Sequence, residues 1–314
     1  AIDPTLITHP LDRAMLARLA RLVDEATAAF DNFEPAIVAG YGADKVQSLL
    51  ADAGIRVTAT ARGYRPAVSL PNCEAKILKH QNIVEMLELG SRDVGFAGAD
   101  WVEELDADVV ELLDTGLDPV SVVAAAPTGL FDRLDEIGRP LVVASEYERL
   151  TKAWIARRDL DAEFVRSFGA TEVFPPEDAD VIVDNTATGS TLRANDLEIV
   201  DTVITSSTRL YASPQAMEHE VKRERIEDLS LLLRSVLDAR KRVMIEVNAP
   251  EGCLNEVVAL LPCMREATVS PLFGNSGYAV KAAVLREKLH EIIPAIKAAG
   301  GTDVAVTDIS QIVP

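Results

Sequence analysis

Residues 179–195, ADVIVDNTATGSTLRAN, join an apolar run to a cluster of small hydroxyl residues. Val181, Ile182 and Val183 form the kind of run that a buried parallel strand uses. Asp184 ends it, and Thr186, Thr188, Gly189, Ser190 and Thr191 follow before a helix start. That order of parts suits a phosphate: Gly189 permits a tight turn and a close approach of the ligand, the hydroxyls donate, and N–H groups at a helix start favour an anion. Asp184, at the carboxyl end of the strand, is placed to accept hydrogen bonds from a sugar's hydroxyls or to hold a cation, and open α/β sheets bind ligands at that edge. A plain turn with a Ser or Thr cap would use the same residues, so the rest of the chain has to decide between the two readings.

The 314 residues suffice for two or three domains with buried cores, and 48% hydrophobic with 26% charged residues is ordinary for a globular protein. Fifty acidic against 31 basic residues give a net charge of −19, which argues against sequence-independent binding to nucleic acid or to anionic membranes. A phosphate ligand must therefore rely on local groups and metal ions. Cys73, Cys253 and Cys263 are an odd set at spacings that match no zinc motif, and they read as reduced thiols of a cytoplasmic protein. No apolar run approaches the roughly 20 residues of a membrane span, and the basic-then-apolar layout of a signal peptide is absent.

Around the hydroxyl cluster the chain reads as alternating strands and helices. Leu11, Met15, Leu16, Leu19, Leu22, Val23, Ala26 and Phe30 recur at a helical period, which predicts an amphipathic helix over 11–30. PAIVAG at 35–40 is a strand running into Gly40-Tyr41-Gly42, and a helix follows to Ala53-Gly54. Arg62 to Pro66 is a basic, turn-prone link, and EAKIL at 74–78 and DVGFAGAD at 93–100 are further strands, with Gly95 and Gly98 opening the backbone near Asp100. A second unit starts near Asp118-Pro119 with the strand PVSVVAAAP, and residues 200–211 form a strand long enough to cross back to the first unit. Two α/β lobes joined by crossing strands imply a cleft. One helix is expected over 215–240, and the last 74 residues run β-α-β-β-α-β, the order of a ferredoxin-like module.

With these parts laid out, the chain resembles the long form of ATP phosphoribosyltransferase, the first enzyme of histidine biosynthesis, over roughly residues 36–314. The resemblance is carried by VIVDNTATGSTLRAN at 181–195, DVGFAGADWVEE at 93–104, VASEYERLTKAW at 143–154, GATEVFP at 169–175, LLADAGI at 49–55 and the carboxyl-terminal TVSPLF…YAVKAAV…IKAAGGTDVAVTDISQIVP. It implies an α/β fold of two periplasmic-binding-protein-like lobes around a cleft, plus a C-terminal ferredoxin-like regulatory domain that binds histidine as feedback inhibitor. The corresponding boundaries are 1–118 with 205–238 for lobe I and its extra amino-terminal helix, 119–204 for lobe II, and 239–314 for the regulatory domain.

The activity implied is attack of N1 of ATP on C1 of the ribose of phosphoribosyl diphosphate, with Mg²⁺ assisting departure of pyrophosphate. On this reading Thr186, Thr188, Gly189, Ser190 and Thr191 hold the 5′-phosphate and Asp184 sits by the ribose hydroxyls. Glu172 contacts the ribose or assists catalysis, and Asp180 shares a metal with Asp184. Gly40, Tyr41, Arg65, Lys79, Gly98 and Asp100 face the nucleotide or pyrophosphate. The family's PKGRL segment departs here: counted back from Leu49 without gaps, Ala39 and Tyr41 stand where its lysine and arginine belong. One charged hydrogen bond contributes roughly 1.5–3 kcal/mol, so the departure keeps two alternatives open, a transferase with another acceptor and a non-catalytic ligand-binding paralogue. The resemblance further implies a cytoplasmic homo-oligomer, a dimer or hexamer.

Overall fold

The computed structural model describes residues 35–38 (backbone only), 43–58, 63–264, 266–274 and 276–313. The helix expected over 11–30, and Gly40 and Tyr41, lie outside the described residues. The chain forms two compact units, the first from residues up to 46 with 57–226 and the second from 47–56 with 227–314.

The first unit holds β1 (Pro35–Val38), the short hairpin β2 (Val57–Thr58) and β3 (Ala67–Val68), β4 (Lys76–Leu78), β5 (Val94–Gly98), β6 (Val110–Pro127), β7 (Leu141–Ser145), β8 (Ala162–Arg166), β9 (Val181–Thr186) and β10 (Leu197–Ala212). Apart from the hairpin, these strands make one sheet in the order β4-β1-β5-β10-β6-β9-β7-β8. β1 runs parallel to β4 and β5, and β7 runs parallel to β8 and β9. Between these two parallel sets lie β6 and β10, antiparallel to each other and shared by both. Thr208–Ala212 of β10 pair with β5, whereas Ser121–Ala125 of β6 pair with β9.

The runs VSVVAAA and VIV are uninterrupted because their sheet is covered on both faces. Val122, Ala124, Ala126, Val143, Val181 and Val183 pack with Tyr147 and Trp154 on one face, while Val123, Ala125, Ala144 and Ile182 pack with Leu192 and Leu197 on the other. Truncating one of these, such as Ile182→Ala, should cost about 2–5 kcal/mol.

Asp118-Pro119 does not begin a strand, as its turn-like composition suggested. β6 runs through it, with Gly116 at φ +63° and Asp118 at φ +46°. The pairing with β10 slips between Ser206 and Thr208 and again between Thr208 and Arg209. Such irregularities bend and twist a strand pair, so the two long strands turn at their middles and carry the two parallel sets as separate lobes. Asp114 Oδ1 fixes the bend by accepting the Gly116 N–H at 2.8 Å and the Ser207 hydroxyl at 2.7 Å.

After β1 comes α1 (Ala43–Asp52), and helices α2 (His80–Glu88), α3 (Ala99–Leu105), α4 (Glu148–Arg157) and α5 (Ser190–Ala194) accompany the sheet of the first unit. A buried carboxylate joins α3 to α4. The Glu104 oxygens accept the backbone N–H groups of Arg149 and Leu150, each at 3.0 Å, in the first turn of α4, where no helical acceptor exists. The helix expected over 215–240 is interrupted: residues 214–218 form one turn, His219 is extended, and its carbonyl accepts from Arg223 to open α6 (Glu220–Arg240).

In the second unit β11 (Arg242–Ala249), α7 (Leu254–Ala259), β12 (Thr268–Pro271), β13 (Tyr278–Leu285), α8 (Leu289–Ala298) and β14 (Thr302–Asp308) follow the β-α-β-β-α-β order. Its antiparallel sheet has the order β12-β13-β11-β14. Val243, Ile245 and Val247 alternate along β11 and meet Val280, Ala282 and Val284 of β13 over Val257, Ile292 and Ile296 of the helices, the period of two that a one-sided sheet requires. Among the described residues no helix is long and apolar enough to cross a membrane.

Candidate active site

The carboxyl ends of four strands face one another in the first unit where β6 and β10 bend, because β4 and β5 run opposite to β7 and β9. β4 delivers Lys79 and His80, β5 delivers Gly98 and Asp100, β7 delivers Glu146 and Tyr147, and β9 delivers Asp184 and Asn185. A cleft of about 460 Å³ opens there, lined among others by Lys79, His80, Trp101, Asp118, Glu146 and Asn185, with Ser206–Thr208 of β10 as its floor.

The hydroxyl loop leaves β9 beside this cleft. Thr186 Oγ1 accepts the Gly189 N–H at 2.9 Å, which closes the turn, and Gly189 adopts φ +70°. A Cβ at that position would meet the Arg193 guanidinium at 3.0 Å as well as the strain of the left-handed backbone. Arg193 is folded back onto the turn, donating to the Thr188 carbonyl at 3.0 Å. The side chains of Thr188, Ser190 and Thr191 are exposed at the tip, with Thr188 donating to Ser190 at 3.1 Å. The loop thus presents three small hydroxyls and, from the first turn of α5, N–H groups that precede the first helical acceptor.

Asp184 stands half-buried at the root of this loop. The Asn185 N–H donates to its Oδ1 at 2.7 Å, yet its carboxyl is pushed up to about 6 by burial, with Glu172 and Glu146 adding repulsion. Three carboxylates with too little local positive charge are what a cation, or a substrate that becomes cationic, would relieve. Glu172 is held there by a single 3₁₀ turn, Thr171–Val173.

Asp180 is not part of this group. It precedes β9, and four residues at roughly 3.3 Å each put its Cα about 13 Å from that of Asp184, too far for a shared metal ion. Its oxygens accept a bidentate pair from Arg139 at 2.7 and 2.9 Å and the Val142 N–H at 2.8 Å. The Arg139 bonds hold its carboxyl below the usual carboxylate range. Asp180 anchors β7 to β9 at the far edge of the sheet. Among the described residues no group of three or more His, Cys, Asp or Glu side chains forms a metal cage.

On the nucleotide side, Lys79 and Gly98 line the cleft, and Arg65 is exposed in the 63–66 link outside it. Asp100 is buried, and both its oxygens are taken by the protein: Ser206 donates to Oδ1 at 2.6 Å and Tyr147 to Oδ2 at 2.7 Å, while the Asp100 N–H returns a bond to Ser206 at 3.0 Å. A Cβ on Gly98 would fall 2.2 Å from Asp100 Oδ1, so glycine is required there to seat that carboxylate. Lys45 reaches Asp118 Oδ1 at 2.6 Å, and the other oxygen of Asp118 is buried without a partner. His80 Nδ1 accepts the Gly98 N–H at 3.4 Å, and burial lowers its pKa, which keeps the ring neutral.

Residue-type reasoning missed His80, Glu146, Tyr147, Asn185 and Ser206. The available signal was positional, since all but Ser206 lie within two residues of a strand's carboxyl end on the ligand edge.

A model of the ATP phosphoribosyltransferase family matches residues 79–235, and its C-terminal domain model matches residues 239–311. The ATP phosphoribosyltransferase of Chlorobium phaeobacteroides is 35% identical over 275 residues, covering 86% of this chain and 94% of its own. That of Pelotomaculum thermopropionicum is 32% identical over 272 residues, covering 85% and 94%. The chain belongs to the ATP phosphoribosyltransferase family. The second matched domain makes it a long-form member, in a family of pentosyltransferases that carry out the first step of histidine biosynthesis. Among solved structures, the ATP phosphoribosyl transferase HisG:HisZ complex of Thermotoga maritima superposes with a TM-score of 0.57 at 22% identity, covering 66% of this chain and 98% of that one. That likeness is one of fold.

Proposed function

We propose that this chain transfers the phosphoribosyl group of phosphoribosyl diphosphate to N1 of ATP, with the loop at Thr186–Thr191 gripping the 5′-phosphate and Asp184 the ribose hydroxyls. The observation that carries this reading is the junction of the two: a left-handed Gly189 turn with exposed hydroxyls, rooted in an under-neutralised carboxylate, which flank the cleft-lining Asn185 in sequence without lining the cleft themselves.

In the reaction the N1 lone pair forms a bond to C1 of the ribose as the bond from C1 to the diphosphate oxygen breaks. Positive charge spreads over the ribose ring while negative charge gathers on the departing diphosphate. Asp184, with Glu172 and Glu146 behind it, supplies a negative field where the ring becomes cationic, so the burial and repulsion that together raise Asp184 in the resting protein are offset at the transition state. Fixing the 5′-phosphate in the loop aims C1 at the cleft and makes attack effectively unimolecular. An all-oxygen pair such as Asp184 and Glu172 fits Mg²⁺, which commonly binds one or two carboxylates together with substrate phosphates and would neutralise the diphosphate. Lys79, at the start of α2, lines the cleft and would bring a cation to a polyanionic substrate there.

Lobe boundaries at 118/119 and 204/205 belong to this proposal, as does a homo-oligomer with histidine acting through the C-terminal unit. The test is direct. Protein, phosphoribosyl diphosphate, ATP and Mg²⁺ with pyrophosphatase should give the absorbance rise of phosphoribosyl-ATP. Silence across pH and salt would overturn the reading, and pyrophosphate release only with another base would transfer it to a different acceptor.

A further inference from the structure

We propose that Asn185 selects the acceptor base by accepting a hydrogen bond from its exocyclic amine, and that Tyr147 and Asp100 set it in that orientation. The inference rests on the transferase reading above and concerns how the same cleft tells a 6-aminopurine from a 6-oxopurine.

Asp100 is fixed from β10, because Ser206 both donates to its Oδ1 and accepts its backbone N–H. The remaining oxygen takes the Tyr147 hydroxyl proton at 2.7 Å. Burial and the neighbouring Asp100 push that hydroxyl far above the usual phenol range, so the proton stays on Tyr147. With its only hydrogen committed, the Tyr147 oxygen can act toward Asn185 only as acceptor, and it takes the Asn185 Nδ2–H at 3.0 Å. The amide of Asn185 therefore has its nitrogen on Tyr147 and its carbonyl oxygen turned away. Asn185 lines the cleft, so an acceptor is presented to whatever lies there.

The surroundings suit a planar base. Trp101 and Tyr147 stack at 4.7 Å with 28° between their planes, and both line the cleft. An aromatic surface beside a fixed acceptor offers stacking to a base ring and a partner to an amino group on its edge. The ribose has other partners: Asp184, one residue earlier on β9, projects to the opposite face of the strand, where it meets Thr171 and Glu172. An amide oxygen held in this way rejects a 6-oxo group, since two acceptors would face each other without a proton. The backbone of Tyr147 is fixed on the same strand: its N–H donates to Ser145 Oγ at 2.9 Å, and Ser145 donates to the Val183 carbonyl.

The experiment compares KM for ATP with Ki for ITP, used as a competitive inhibitor against ATP, in wild type, Asn185→Leu and Tyr147→Phe. Wild type should prefer ATP. Asn185→Leu should lower that preference about tenfold, with the KM for phosphoribosyl diphosphate unchanged. Tyr147→Phe, which frees the amide to rotate, should lower it by a smaller factor in the same direction, and the double variant should add little to Asn185→Leu alone. An unaltered preference in Asn185→Leu, or a raised KM for phosphoribosyl diphosphate in place of that for ATP, would overturn the assignment. Wild-type turnover of ATP in the same assay keeps this outcome separate from a failure of the transferase reading.

Discussion

Two aspartates stand at the carboxyl ends of strands on the ligand edge, and they are used in opposite ways. Asp100, beyond β5, is buried with each oxygen filled by a hydroxyl and its own N–H bonded to Ser206. Asp184, in β9, is more open, receives the Asn185 N–H and a side-chain hydrogen bond from Thr171, and sits beside Glu172 and Glu146 with its carboxyl pushed up to about 6, chiefly by burial. The first carboxylate is complete without a ligand, whereas the second is costly until one arrives. Position in the fold does not separate a structural acid from a functional one; the balance of donors against neighbouring carboxylates does.

The largest effect that would sharpen this contrast is on catalysis. Asp184→Asn should lower kcat/KM for phosphoribosyl diphosphate about a hundredfold or more, the scale seen when one electrostatic partner of a transition state is removed. The same variant should be more stable than wild type at pH 7. A carboxyl raised in the folded state contributes stability below its unfolded value near 4 and loses it as pH rises through about 6. The two proteins should therefore unfold alike at pH 4, with the variant ahead by about 1–3 kcal/mol at pH 7 in urea titrations. Asp100→Ala should move stability the other way, by about 2–4 kcal/mol, because it strands the hydroxyls of Tyr147 and Ser206 in the interior. Stability changes of the same sign at both aspartates would break the comparison. Smallest is the effect at Asp180, the acid at the far edge of the sheet. Its carboxyl is held down by Arg139, so it contributes stability above the usual aspartate range and loses it as pH falls through its lowered value. Arg139→Gln should accordingly be less stable than wild type at neutral pH, with the gap closing below pH 4.

Much of this was legible in the chain. The VIV run followed by T-A-T-G-S-T specified a strand, a left-handed turn and a helix start, because local patterns govern local geometry. The β-α-β-β-α-β order of the C-terminal unit could be read from periods of two and 3.6. What failed depended on distant partners. Asp180 looked like a companion of Asp184 until Arg139, 41 residues away, was seen to hold it. Tyr147 carried no signal of its own, since its hydroxyl partners lie 47 residues before it and 38 after it. Asp118-Pro119 read as a strand start because the left-handed backbone of a bulged strand uses the residue types of a turn.

The central claim is that the loop after β9 holds the 5′-phosphate of the donor. Equilibrium binding of phosphoribosyl diphosphate to wild type and to Thr188→Ala/Thr191→Ala tests it without requiring turnover. The account predicts a Kd at least tenfold weaker in the double variant, since each hydroxyl bond to a dianion contributes about 1.5 kcal/mol or more. An unchanged Kd would contradict it.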